Sequence, residues 1–172
     1  MKYKLTKEKK QYYNKTLYRI QAIKSFGNVK KGDKGGFIEK KDNLSQEGDA
    51  WVYNDAEVYG NARVFGNAEI YGDARVCGDA RVCGDARVYG NAWVYGNAWV
   101  SGGAGVYGDA EVFGNARVSG GARVYGDAEV YGMSKIDKGF VFAYLEKLTK
   151  FRLIEQEEGT LFITDFEKME DN

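Results

Sequence analysis

The side chains of this chain best suited to chemistry recur at fixed intervals. Arg63, Arg81, Arg117 and Lys135 fall on one eighteen-residue series together with Trp99. Four cations around an indole suit phosphate or carboxylate ligands, with the ring as a stacking platform. Tyr53, Tyr71, Tyr89, Tyr107 and Tyr125 fall on a second series, and large amphipathic rings of this kind are enriched at protein interfaces. Acid–base chemistry has less to work with. The 172 residues include no histidine, which removes the usual general base at neutral pH and the commonest zinc ligand. Glu57 and Glu111 remain as carboxylate bases, and Cys77 and Cys83 as thiols six residues apart. Two Cys without His or further Cys do not make a metal site, so no metal and no cofactor is expected.

The element that must position these side chains is a six-residue word. Gly-(Asn/Asp)-Ala-x-Val-aromatic repeats fifteen times from Gly48 to Asp137, as in GNARVF, GDARVC and GNAWVY. Position three is Ala until Ser134, and position five is Val except for Ile70 and Ile136. Along an extended strand Ala and Val face one way, and x and the aromatic face the other. Charged residues at x place that side outward, because a narrow interior cannot bury unpaired charge. The leading Gly-Asn or Gly-Asp tolerates positive φ and so turns the chain after each short strand. A period this strict marks a solenoid in which stacked neighbours bury what one unit cannot. The absence of proline leaves every N–H available for pairing with the next coil.

These words resemble the hexapeptide-repeat superfamily, the trimeric LpxA-like proteins. The resemblance implies an all-β solenoid: a left-handed parallel β-helix with three hexads per triangular coil, hence about five coils spaced roughly 4.8 Å apart. Leu17-Tyr-Arg-Ile-Gln-Ala, Gly32-Asp-Lys-Gly-Gly-Phe-Ile-Glu39 and Asn43-Leu-Ser-Gln46 resemble the amino-terminal cap of a bacterial and phage subgroup without an assigned activity. Three units follow: residues 1–47 as a strand-rich β cap, 48–137 as the β-helix, and 138–172 as a carboxy-terminal element that caps or oligomerises. In the cap, Tyr18, Ile20 and Ala22 alternate like a strand, Gly35-Gly36 permits a tight turn, and Phe37 and Ile38 cover the open core. Residues 42–47 read as a degenerate sixteenth hexad.

Three hexads per coil sort the outer positions into columns. One face stacks the five tyrosines beside Trp51, Glu69, Arg87, Gly105 and Arg123. The second stacks Tyr59, Cys77, Tyr95, Phe113 and Tyr131 beside Glu57, Arg75, Trp93, Glu111 and Glu129. The third stacks Phe65, Cys83, Ser101, Ser119 and Asp137 beside Arg63, Arg81, Trp99, Arg117 and Lys135. Cys77 and Cys83 then point outward on different faces, out of reach of a disulfide. Asp79 and other turn carboxylates are expected to pair locally with the third-face arginines. The tyrosines are either a self-stacking ladder or an interface.

Past Lys138 the pattern changes. Val141, Tyr144, Leu145 and Leu148 follow helical spacing. Residues 151–154 and 160–164 read as a hairpin around Glu157-Glu158-Gly159. This helix and hairpin, LEKLTKFRLIEQEEGTLFITDFEKME, resemble the last helix and wing of winged-helix domains in phage replication-initiation proteins. Net charge is zero but uneven: residues 1–48 hold thirteen Lys/Arg against five Asp/Glu.

The function expected from all this is a non-catalytic protein-interaction or scaffold module, homo-oligomeric as a dimer or trimer. Its interface candidates are the tyrosine column with Trp93 and Trp99, and its anion-binding candidates are Arg63, Arg81, Arg117 and Lys135. The phage resemblance implies binding to, and inhibition of, a host defence protein. One alternative is nucleic-acid binding through the basic amino terminus and the arginine column. The other is the acyl transfer that dominates the superfamily, disfavoured by the missing histidine and by the unbroken repeat. Met1 to Tyr13 is lysine-rich without an apolar run, and no stretch approaches a membrane span, so a cytoplasmic location is expected.

Overall fold

The computed structural model describes residues 1–143, 153–157 and 160–163. Each hexad forms one short strand, from Trp51–Val52 through Lys135–Ile136, followed by a corner. Strands eighteen residues apart pair in parallel: Arg87 with Gly105, Trp93 with Glu111, Trp99 with Arg117. Three sheets result, and they reproduce the three sequence columns. Each coil donates its N–H groups to the next, as Trp51 N does to Ala68 O at 3.0 Å and Arg87 N to Ala104 O at 2.9 Å. The chain is a parallel β-solenoid.

Ala and Val form the interior. Ala50 to Ala122 and Val52 to Val130 are buried almost without exposure. The corners need left-handed backbone, which Gly supplies from Gly48 to Gly132; at the second hexad Asn54 takes its place with φ 52°. Backbone also packs on backbone there. A Cβ on Gly84 would stand 2.9 Å from Gly102 N, closer than any side chain tolerates, so the column of corner glycines is steric as well as conformational.

The solenoid is longer than the fifteen perfect words. Strand β3, Lys34–Ile38, pairs in parallel with Glu57–Val58, and Leu44 bridges to Val64. With Trp51–Val52 these complete a first coil, so the degenerate hexad around Leu44 is real. At the far end Phe140–Ala143 pairs with Arg123–Gly126, seventeen residues back rather than eighteen. The coils therefore number six, not five. Val141 belongs to this last strand and is buried, which corrects the helical reading at its start. Tyr144, Leu145 and Leu148 lie outside the described residues. The hairpin is present: Leu153–Glu157 and Thr160–Ile163 pair antiparallel.

The cap is built from β1, Tyr3–Tyr12, and β2, Lys15–Ala22, an antiparallel pair that extends the sheet beyond β3. Gly35-Gly36 does not turn. Both residues are strand, and a Cβ on Gly35 would meet Val52 O at 2.5 Å and the Trp51 ring at 2.7 Å, so glycine here lets two backbones approach. Because N–H groups point toward later coils, the first coil is left with unpaired carbonyls. The cap supplies donors to them. Lys2 Nζ donates to Ala50 O at 2.8 Å and Gly48 O at 3.0 Å, Tyr3 Oη to Leu44 O at 2.8 Å, and Arg19 to Asn54 O at 2.9 Å. Side chains stand in for the N–H groups of a missing coil, which leaves no buried carbonyl orphaned at these positions.

Candidate interaction faces

The first face carries the tyrosines on the sheet that runs from Trp51–Val52 to Phe140–Ala143. Within an upper pair and a lower trio, rings one coil apart stack nearly parallel: Tyr53 on Tyr71 at 4.4 Å, Tyr89 on Tyr107 at 4.7 Å and Tyr107 on Tyr125 at 5.1 Å between centroids. The ladder is thus a structural element, whose rings present edges and hydroxyls outward. Its two ends differ. Tyr53 packs against the core and donates to Glu69 at 3.3 Å, and Trp51 beside it is 1% exposed under Tyr3 and Phe26. Trp51 therefore belongs to the core rather than to the outer face. Toward the far end Tyr89 is 39% exposed, and Phe140, which follows Arg123 in the flanking x column, is 60% exposed and edge-on to Tyr125. Gly105, at the x position between Arg87 and Arg123, leaves the middle of this stripe without a flanking side chain. The hexad register stops before Phe140, which is why sequence reading missed it.

The second face is closed at its upper end. Tyr12 of β1 lies 5.2 Å from Tyr59, and Leu17, Phe37, Tyr59 and Cys77 form a buried cluster. Glu57 is buried, ion-paired to Lys10 of β1 and 3.7 Å from Arg75. It is a paired structural carboxylate and not the solvated one expected from its x position. Lower down, Tyr95 stacks on Phe113 at 4.9 Å and Phe113 on Tyr131 at 5.3 Å. Tyr95 donates to Glu111 at 2.9 Å, so the second carboxylate-base candidate is also engaged. Burial, with Glu111 second, pushes the Tyr95 phenol up.

The two thiols sit under the two tryptophans. Trp93 Nε1 donates to Cys77 Sγ and Trp99 Nε1 to Cys83 Sγ, both at 3.3 Å. Each cysteine faces outward, as its hexad position dictates, yet is buried by the indole of the next coil. The small thiol leaves room for a tryptophan where an aromatic ring would otherwise stand.

The third face holds the cations. Arg63, Arg81, Arg117 and Lys135 are exposed, and among the described residues none of them forms an ion pair. The expected local pairing is not made. Asp79 accepts instead from Asn61 at 3.1 Å and Asp85 from Asn67 at 3.0 Å, in amide–carboxylate ladders along the corners. Two arginines on the other faces are matched, Arg87 with Glu69 at 3.1 Å and Arg75 with Glu57, while Arg123 lies 5.8 Å from the Phe140 ring. The Arg81 and Arg117 guanidiniums lie 5.8 and 5.3 Å from the Trp99 ring, one from the coil on each side. Both π-faces of Trp99 are therefore occupied. It spaces two cations and does not offer a platform to a base. At the upper end a shallow groove of about 370 Å³ lies among Lys40, Asp42, Asn61, Arg63, Asp79 and Arg81.

A β-solenoid repeat protein is what this register, core and set of columns define. Its repeats are similar to one known family: the YdcK beta solenoid repeat matches residues 68–84, 80–95 and 110–126. No curated protein matches the chain. No helix among the described residues is long and apolar enough to cross a membrane.

Proposed function

We propose that the protein is a non-catalytic interaction module: a rigid β-solenoid that associates with copies of itself and binds a protein partner through its lateral faces. The observation that carries this reading is the lower tyrosine face, where Tyr89, Tyr107 and Tyr125 stack and exposed Phe140 stands edge-on beside Tyr125. Stacking uses the ring faces and leaves an amphipathic rim in solvent, the chemistry that interfaces favour. The carboxylates suited to acid–base work support the same reading, since Glu57 and Glu111 are already committed to ion pairs or hydrogen bonds. The sequence resemblance to phage-encoded hexapeptide proteins extends the proposal to a host protein as the target.

The test is affinity capture from the native host by the parent and by Tyr89→Glu, alongside calorimetry with acetyl-coenzyme A. Partners retained by the parent and lost from the variant, with a flat coenzyme titration, are the expected result. Saturable coenzyme binding, or identical partners for both proteins, would overturn the proposal.

A further inference from the structure

Among the described residues, the third face carries a column of like charges stacked coil on coil without an ion pair. Arg75 and Arg87 sit beside a glutamate of the same column and Arg123 lies over the Phe140 ring, whereas Arg81, Arg117 and Lys135 have no glutamate neighbour in their column. The carboxylates at the edges do not fill this role. Asp79 and Asp85 are held by Asn61 and Asn67, and Asp137 makes no ion pair among the described residues. From Arg63 to Lys135 the column runs along the solenoid axis for about 19 Å at one coil per ~4.8 Å. Next to it stand Phe65, buried Cys83, the small Ser101 and Ser119 and, beside Lys135 at the far end, Asp137, so nothing bulky screens Arg81 and Arg117.

We infer that this column is a binding strip for an acidic, extended peptide segment of a partner protein, a reading that deepens the interaction function proposed above. The face is a single short strand wide, which matches one extended chain lying along the axis. Carboxylates on alternate residues of such a chain recur about every 6.6–6.8 Å, within the adjustment range of long arginine side chains. The guanidinium fork can grip each carboxylate with two parallel hydrogen bonds. Trp99 holds Arg81 and Arg117 apart and pre-orders them, which lowers the entropy lost on binding. Two observations favour a peptide over nucleic acid. The ring that could stack a base is already covered on both sides. The whole chain has zero net charge and a pI near 6.4, without the strongly basic footprint that polyphosphate recognition rests on.

The experiment is fluorescence anisotropy at low salt with a labelled peptide of alternating Glu and Ser, about 12 residues long and so able to span the column. A labelled oligothymidylate of equal charge is the competing probe. The parent should bind the peptide, and Arg81→Glu/Arg117→Glu should weaken it by at least about tenfold. Lys4→Glu/Lys9→Glu, which changes net charge equally on exposed residues of β1, should leave it nearly unchanged. Arg81→Gln/Arg117→Gln, a milder pair, guards against misfolding and should show the same loss with an unaltered circular dichroism spectrum. No binding by the parent, equal loss in the β1 variant, or tighter binding of the oligothymidylate would overturn the inference. A parent that captures a protein partner yet ignores the acidic peptide sinks this inference alone; failure of both removes the interaction reading as well.

Discussion

Val88 shows how completely one position is decided by its neighbours. It is fully buried, paired in register with Ile70 on one side and Val106 on the other. Val88→Asp would bury a carboxylate among Ala and Val with no partner, at a cost of several kcal/mol. Urea denaturation should show that loss, and stability equal to the parent would mean that the side chain faces outward. The inward and outward choice at every hexad was legible in the sequence because the period alone dictates it. Individual outward residues were less legible. Glu57, Trp51, Cys77 and Cys83 all occupy outward hexad positions yet are buried, because β1, the cap or a tryptophan one coil on covers them. Such covering joins residues distant in sequence, as Lys10 meets Glu57, and no periodicity announces it.

At the scale of elements, the tyrosines of the ladder, the cap and the second face give the fold a distinct response to alkali. Burial pushes Tyr3 and Tyr53 up to about 12 from an ordinary 10.0, and raises Tyr71 and Tyr95, each with a glutamate second, and also Tyr59 and Tyr107. The unfolded chain therefore loses these phenolic protons before the folded one does. Their stabilisation is complete below pH 10 and falls as pH rises through the folded values. Lys2, lowered from 10.5 to about 8 by burial, acts in the opposite sense between those two pH values, one group against six. The expected outcome is steep alkaline unfolding that begins above pH 10 and coincides with phenolate absorbance. Tyrosines that titrate near 10 with the circular dichroism intact would contradict it. The ladder itself was readable as an eighteen-residue series. The cap was read as strands, but its glycine pair was mistaken for a turn because a close backbone approach and a turn use the same residue. The strand Phe140–Ala143 that completes the last coil was hidden by a one-residue shortening of the repeat.

For the whole molecule, six coils make a straight body whose three sides differ in chemistry: a tyrosine side, a side closed by the cap at one end, and a cationic side. The regular residues build that body, and the irregular ones give each side its character. The column sorting was available from sequence because parallel in-register stacking turns an interval into a position. The pairing state of the arginines was not, since it depends on whether Asp79 turns toward Arg81 or toward Asn61. The central claim is that the lower tyrosine side is a working interface, and it is tested most directly by multi-angle light scattering of the parent and of Tyr89→Glu. The account predicts a parent mass that is a multiple of the 19.2 kDa chain and a smaller mass for the variant. A monomeric parent, or a variant of unchanged oligomeric mass, would contradict it.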